Sequence, residues 1–136
     1  MTSHSIKPAL QFISVFILAF FCLAAVAGKG EKNMTLTLSS QSLVSNQPIP
    51  LKFTGYDKDI SPQLQWTNSP AGTKAFVLIC DDPDAPAGTW MHWVLYDIPA
   101  DTTALPEGLA KTKTVLVTAK QGINDFGRIG YNGPMP

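Results

Sequence analysis

Asp81-Asp82-Pro83-Asp84-Ala85-Pro86 puts three carboxylates into four residues, directly after the apolar run Ala75-Phe-Val-Leu-Ile-Cys80. Like charges this close repel one another. A solvated turn would relieve them, because Asp beside Pro is ordinary turn chemistry. The sharper reading is that Pro83 and Pro86, by fixing φ, make a stiff corner able to hold a working carboxylate. Next comes Trp90-Met91-His92-Trp93. In a regular strand Trp90 and His92 share one face, while Met91 and Trp93 point to the other. A single histidine among aromatics is often only a satisfied core residue. If residues 81–89 turn the chain back on itself, however, His92 approaches Asp82 or Asp84. A carboxylate partner would fix the imidazole tautomer and favour its protonation, making the ring a donor to anions. The same residues could instead ligate a divalent metal, but residues 28–136 hold no second histidine for a nitrogen-rich site.

Other chemistries find less support. There is no Gly-x-Ser-x-Gly elbow. The Gly-rich stretch 122–133 fits neither Gly-x-x-x-x-Gly-Lys-Ser/Thr nor Gly-x-Gly-x-x-Gly, so no nucleotide cofactor is expected. Cys80 reads as a buried small hydrophobe, because nothing cationic neighbours it in sequence. The chain of 136 residues carries 10 basic and 10 acidic side chains, which leaves no positive excess for a nucleic-acid partner. Its charged fraction is 15% and its hydrophobic fraction 45%, enough apolar material for one folded domain and too little charge for disorder.

The elements that must position these groups read as strands. Met34-Thr-Leu-Thr-Leu38, Ile49-Pro-Leu-Lys-Phe-Thr54 and Gln63-Leu-Gln-Trp66 alternate polar and apolar residues. Lys74–Asp81 is a continuous apolar run, expected to be a strand buried on both faces. Thr89–Ile98 is aromatic and β-branched, Thr112–Ala119 alternates again, and Gln121–Pro136 has no period. No helical stripe appears beyond the N-terminal run. The expected fold class is all-β, mainly antiparallel, with six or more short strands in a sandwich. Before it, residues 1–27 have the form of a signal peptide: Lys7, an apolar run from Leu10, and Ala25-Val26-Ala27 at the expected cleavage point. The mature domain would be 28–136, periplasmic or secreted. The alternative is an uncleaved membrane anchor, since no charge lies between Lys7 and Lys29. Cys22 follows Phe20 and Phe21 rather than small residues, which argues against a lipoprotein.

Ser61-Pro-Gln-Leu-Gln-Trp66, Pro70-Ala-Gly-Thr-Lys74, Asp82-Pro-Asp-Ala-Pro86, Trp90-Met-His-Trp-Val-Leu-Tyr-Asp-Ile-Pro99 and Gly130-Tyr-Asn-Gly-Pro134 occur in this order over residues 34–136. Together they resemble the phosphatidylethanolamine-binding protein family, in its bacterial Raf-kinase-inhibitor-like branch. The resemblance implies a β-sandwich with a small anion pocket at one end. It implies Asp82 as the principal pocket carboxylate and Asp84 on the same loop. It makes Trp90 the aromatic wall, His92 the pocket histidine, and Gly133 and Pro134 another rim. Family chains continue past this rim into Gly-x-x-His-Arg-Tyr, a further strand and usually a helix. This chain ends at Pro136, so the sandwich is expected to be incomplete at its C-terminal end and to melt with poor cooperativity.

The function expected is non-enzymatic binding of a small anionic or phosphorylated ligand, with no metal and no cofactor. A protease or kinase-like protein is a further expected target. Membrane contact is expected only through the signal segment or lipid head groups, and nucleic acid is not a partner. The alternatives are an acid–base or metal-assisted hydrolase using Asp82 and His92, or a truncated product without function.

Overall fold

The computed structural model describes residues 14–17 and 35–135. Among these residues the strands run in chain order as β1 (Ser14–Ile17), β2 (Thr37–Ser39), β3 (Leu64–Thr67), β4 (Ala75–Asp82), β5 (Trp90–Pro99), β6 (Ala104–Leu105), β7 (Thr114–Val115) and β8 (Ala119–Gln121). They form two antiparallel sheets, one in the order β1-β4-β5-β8-β7 and one in the order β2-β3-β6. The chain is thus all-β over the described residues, and the expected sandwich is what the two sheets build. The expected signal peptide lies outside the described residues except for β1, which falls within its apolar run.

The core lies between the sheets. On β3, Leu64 and Trp66 are buried and alternate with more exposed Gln65 and Thr67. On β4, Phe76, Leu78, Cys80 and Asp82 are buried and the residues between them are half-covered. The run 74–81, expected to be enclosed on both faces, therefore has one deep face and one partly covered face. Trp66 meets Phe76 edge-on across the interface, with ring centroids 5.4 Å apart. Trp93 meets Tyr131 in the same manner at 5.8 Å. Each such large side chain contributes about 1.5–3 kcal/mol by leaving water. The Trp93 indole N–H donates to Gln121 Oε1 at 2.7 Å, and the Gln121 amide donates to the carbonyls of Ala110 and Thr112, each at 2.7 Å. One buried glutamine so joins β5 to the loop before β7.

Two segments depart from the sequence-based expectation. Residues 49–54 alternate like a strand but form a 3-10 turn at Leu51–Phe53. Pro48 and Pro50 have no N–H for a ladder, and the Phe53 N–H instead closes back on the Pro50 carbonyl at 2.9 Å. Thr54 repeats this with both its N–H and its hydroxyl on the Leu51 carbonyl. Residues 112–119, read as one strand, are a hairpin whose turn holds Leu116 and Val117 at φ of 48° and 69°.

The strand pair that matters for the site is β4–β5. Cys80 lies opposite Trp93, but Asp81 lies opposite Met91, so His92 is an extra residue on β5. This is a β-bulge. It overturns the simple alternation expected for residues 90–93: His92 and Trp93 are consecutive and both are buried. Trp93 opposite Cys80 and Trp90 opposite Asp82 then lie on the same side of the sheet, three positions apart.

Candidate functional site

The end of β4, the start of β5 and the loop 124–133 meet at one end of the larger sheet. Asp82, the last residue of β4, is 5% exposed and lies across from Trp90. Its Oδ1 accepts the backbone N–H of Asp84 at 3.0 Å, an Asx turn that starts the corner. Gly88, at φ 96°, helps close that corner by donating to the Ala85 carbonyl. Asp84 itself is exposed on the loop. The acidic cluster is therefore split: one carboxylate buried by the sheet, one turned to solvent beside it.

His92 is 3% exposed. Its Nδ1 lies 2.6 Å from the backbone carbonyl oxygen of Asn132. A carbonyl only accepts, so Nδ1 carries the proton and Nε2 is the free nitrogen of the neutral ring. The tautomer is thus set by a main-chain carbonyl, where the sequence suggested a carboxylate. The Phe126 ring completes the surroundings. It stands edge-on to Trp90 with centroids 5.5 Å apart and tilted against His92 at the same distance. Phe126 thus bridges Trp90 and His92, packing its ring against both.

The loop carrying Phe126 and Asn132 is held by Asn124, itself 3% exposed. Its Oδ1 accepts the N–H groups of Phe126 and Arg128, both at 3.1 Å. Its amide donates to Gly130 O and Asn132 Oδ1 at 2.9 Å, and to His92 O at 3.3 Å. Asp125 pairs with Met91 in both directions: its N–H donates to the Met91 carbonyl and its carboxylate accepts the Met91 N–H. Asp59, at φ 52°, pins the far end. Its carboxylate accepts from Gly133 N at 2.6 Å, Asn132 Nδ2 at 2.8 Å and Lys111 Nζ.

Gly133 and Pro134 are buried, and they pack on the 3-10 turn and the residues after it. The Pro134 carbonyl accepts the Gly55 N–H at 3.0 Å. A Cβ on Gly133 would lie 2.0 Å from the Phe53 carbonyl oxygen, so only glycine lets these chains approach so closely. Their part in the site is indirect, since they fix Asn132, whose carbonyl holds His92. The structure thus puts Asp82 opposite Trp90 with His92 two residues further along β5, leaves Asp84 exposed on the adjoining loop, and puts Gly133 and Pro134 against the 3-10 turn. Phe126, Asn124, Asn132 and Asp59 were not read as site residues. The one local signal was Asn124-Asp-Phe-Gly127, a turn sequence. Among the described residues, no group of three or more His, Cys, Asp and Glu converges on a metal-sized point.

Comparison with known proteins follows the same region. The family model for phosphatidylethanolamine-binding proteins matches residues 39–136. A UPF0098 protein of Aquifex aeolicus is 55% identical over 97 residues, which are 71% of this chain and 56% of that one. YbhB of Escherichia coli is 50% identical over 111 residues, 74% of this chain and 68% of that one. PH1269 of Pyrococcus horikoshii is 40% identical over 135 residues, covering 96% of this chain and 67% of its own. The chain therefore spans a little over half to about two thirds of these relatives' lengths. Among solved structures, Escherichia coli YbcL, described as a member of the mammalian PEBP family, superposes with a TM-score of 0.70 at 33% identity, over 74% of this chain and 66% of that one. The PEBP homologue CT736 of Chlamydia trachomatis gives 0.66 at 35%, over 76% of this chain and 67% of that one.

Proposed function

We propose, on the premise that this chain belongs to the phosphatidylethanolamine-binding protein family, that it is a non-enzymatic binding module taking a small zwitterionic phosphate compound at His92. The observation that carries the reading is the 2.6 Å contact between His92 Nδ1 and the Asn132 carbonyl. It commits one ring nitrogen to the protein and leaves Nε2 for a ligand. A phosphate delivering a proton to Nε2, or meeting it already protonated, gains a charge-assisted hydrogen bond. The nearby carboxylates of Asp82, Asp84 and Asp125 set the sign of the remainder. They repel a bare dianion but attract an ammonium carried on the same molecule. The ring faces of Trp90 and Phe126 favour the same cation. A head group bearing both charges fits better than inorganic phosphate.

The acid–base hydrolase reading is weaker, because the group orienting His92 is a carbonyl and not a carboxylate that would support a base. The apolar N-terminal run supports export to the periplasm or beyond, and a secreted module of this kind would act by capture of head groups or by blocking a protein target such as a protease.

The test is isothermal titration of the full chain with phosphoethanolamine and, separately, with inorganic phosphate. Phosphoethanolamine is expected to bind at least about tenfold more tightly, and His92→Ala to weaken it by about tenfold or more, the scale of one lost charge-assisted hydrogen bond. Asp82→Asn is expected to reduce the preference for the zwitterion. Equal binding by the unmutated chain and His92→Ala would end this reading.

A further inference from the structure

We propose that Asn132-Gly133 is a latent deamidation site, and that the Asp59 carboxylate is the group that keeps it closed. In an Asn-Gly pair the glycine backbone nitrogen can reach the asparagine side-chain carbonyl carbon, because no Cβ stands in the way. Packing builds this pair into the loop. A Cβ at 133 would meet the Phe53 carbonyl oxygen at 2.0 Å, so the glycine is obligatory. The asparagine amide is used in both directions, donating to Asp59 Oδ2 at 2.8 Å and accepting from Asn124 Nδ2 at 2.9 Å. The protection of a labile dipeptide then has to come from its surroundings.

Two nitrogens take part in the reaction. Gly133 N gives up its proton and bonds to Asn132 Cγ. The Cγ–Nδ2 bond breaks, and Nδ2 takes up a proton and leaves as ammonia. The product is a five-membered succinimide, which water opens at either carbonyl to give aspartate or isoaspartate. Water is the sole co-reactant, and nothing is oxidised or reduced. Asp59 holds both nitrogens at once: Oδ1 accepts the Gly133 N–H at 2.6 Å while Oδ2 accepts from Asn132 Nδ2. An N–H that donates to a carboxylate keeps its proton, since losing it would set a second negative charge against the first. The Asn124 contact polarises the Cγ carbonyl toward attack, which leaves the bond from Gly133 N to Asp59 as the restraint that decides. Burial helps, because Asn132 is 4% exposed and Gly133 is buried too.

The consequence falls on His92. In isoaspartate the chain continues through Cγ, and the former main-chain carbonyl of residue 132 becomes a free carboxylate. That carbonyl is the one in contact with His92 Nδ1. Opening the clamp would therefore replace a neutral acceptor with an anionic one beside the imidazole, which favours the charged ring. Its bearing on binding rests on His92 being the ligand residue, whereas the reaction at position 132 does not.

Asp59→Asn tests the clamp. It keeps the side-chain size and tolerates the φ of 52° at this position, but it offers one acceptor oxygen and no charge to two N–H groups. The full chain and this variant are incubated at mildly alkaline pH, where circular dichroism shows both to be folded. Mass mapping of the tryptic peptide that begins at Ile129 reads conversion at 132. Conversion is expected to be roughly tenfold faster or more in Asp59→Asn, the scale of one lost charge-assisted hydrogen bond, with isoaspartate among the products. Equal rates would overturn the proposal. Leu78→Ala, a core truncation chosen for its greater loss of urea stability, is expected to keep the slow rate. Conversion there as fast as in Asp59→Asn would make the protection a matter of general folding and overturn the assignment to Asp59. A further measurement needs no variant. Base-catalysed exchange of the Gly133 amide hydrogen requires the same proton loss, and in the unmutated full chain it is expected to run roughly a hundredfold or more below the rate of an unstructured peptide. Exchange at the peptide rate would equally overturn the proposal.

Discussion

Asn124 uses one side-chain amide to join three pieces of chain: β5 at His92, its own loop at Phe126 and Arg128, and the segment Gly130–Asn132. Asn124→Asp keeps the shape and the acceptor but turns the donor nitrogen into an anionic oxygen facing three carbonyl-type oxygens. The expected cost is about 2–3 kcal/mol, since a buried charged group is left facing acceptors. The imidazole nitrogen signals of His92 should shift as the Asn132 carbonyl moves. Urea unfolding together with nitrogen NMR of labelled histidine checks both, and a shift in stability with unmoved His92 signals would deny Asn124 its positioning role. At this scale Asp82, Trp90 and His92 were legible in the sequence because their types are uncommon and their spacing is local. Phe126, Asn132 and Asp59 were not. Phe126 acts through its ring from an aperiodic loop, Asn132 through its main-chain carbonyl, and Asp59 through contacts spanning more than 70 residues, as with Gly133, and none of these leaves a periodic trace.

Strands β3, β4 and β5 follow the runs that the sequence marks, because alternation and β-branched or aromatic content both point the same way there. The misreadings lie where backbone chemistry overrides pattern. Two prolines convert residues 49–54 into a turn, although the alternation survives in Phe53, which is fully buried. The β7–β8 hairpin is harder to read, because Leu116 and Val117 carry no turn signal and yet both take left-handed backbone angles. That conformation costs an L-residue roughly 1–2 kcal/mol. Val117 is β-branched and 93% exposed, so it gains almost nothing from packing in return. Val117→Gly is expected to raise stability by about 1 kcal/mol, and Val117→Asn by somewhat less. Chemical denaturation checks this; a loss of stability on Val117→Gly would mean that the turn is held by a contact of the valine methyl groups.

For the whole molecule, the two-sheet sandwich was legible from strand count and turn spacing, whereas the coupling of its interior to pH was not. Burial first, and the charges of Asp81 and Asp82 second, push the Cys80 thiol up to about 12. Burial, with Cys80 and Asp59, also pushes the Tyr131 phenol up. In the unfolded chain a cysteine loses its proton near about 8.5 and a tyrosine near about 10. Above those values the folded state holds more protons than the unfolded one, so stability is full below about pH 8.5 and falls as pH rises toward 12. Cys80 alone should contribute a slope of about 1.4 kcal/mol per pH unit between pH 9 and 11. Urea unfolding at pH 8, 9, 10 and 11 is expected to show this decline, flattened in Cys80→Ala; equal slopes in both proteins would remove the thiol from the account. The bulge at His92 has a wider consequence. Because it inserts an odd step, it reverses the phase of β5 and brings Trp90 and Trp93 to the same side of the sheet. Deleting that single position would make β5 regular, leaving Trp90 and Trp93 two steps apart and still on one side, without the imidazole. An alanine at position 92 would keep the extra step in β5 while removing the ring that meets the Asn132 carbonyl, separating the two parts this residue plays.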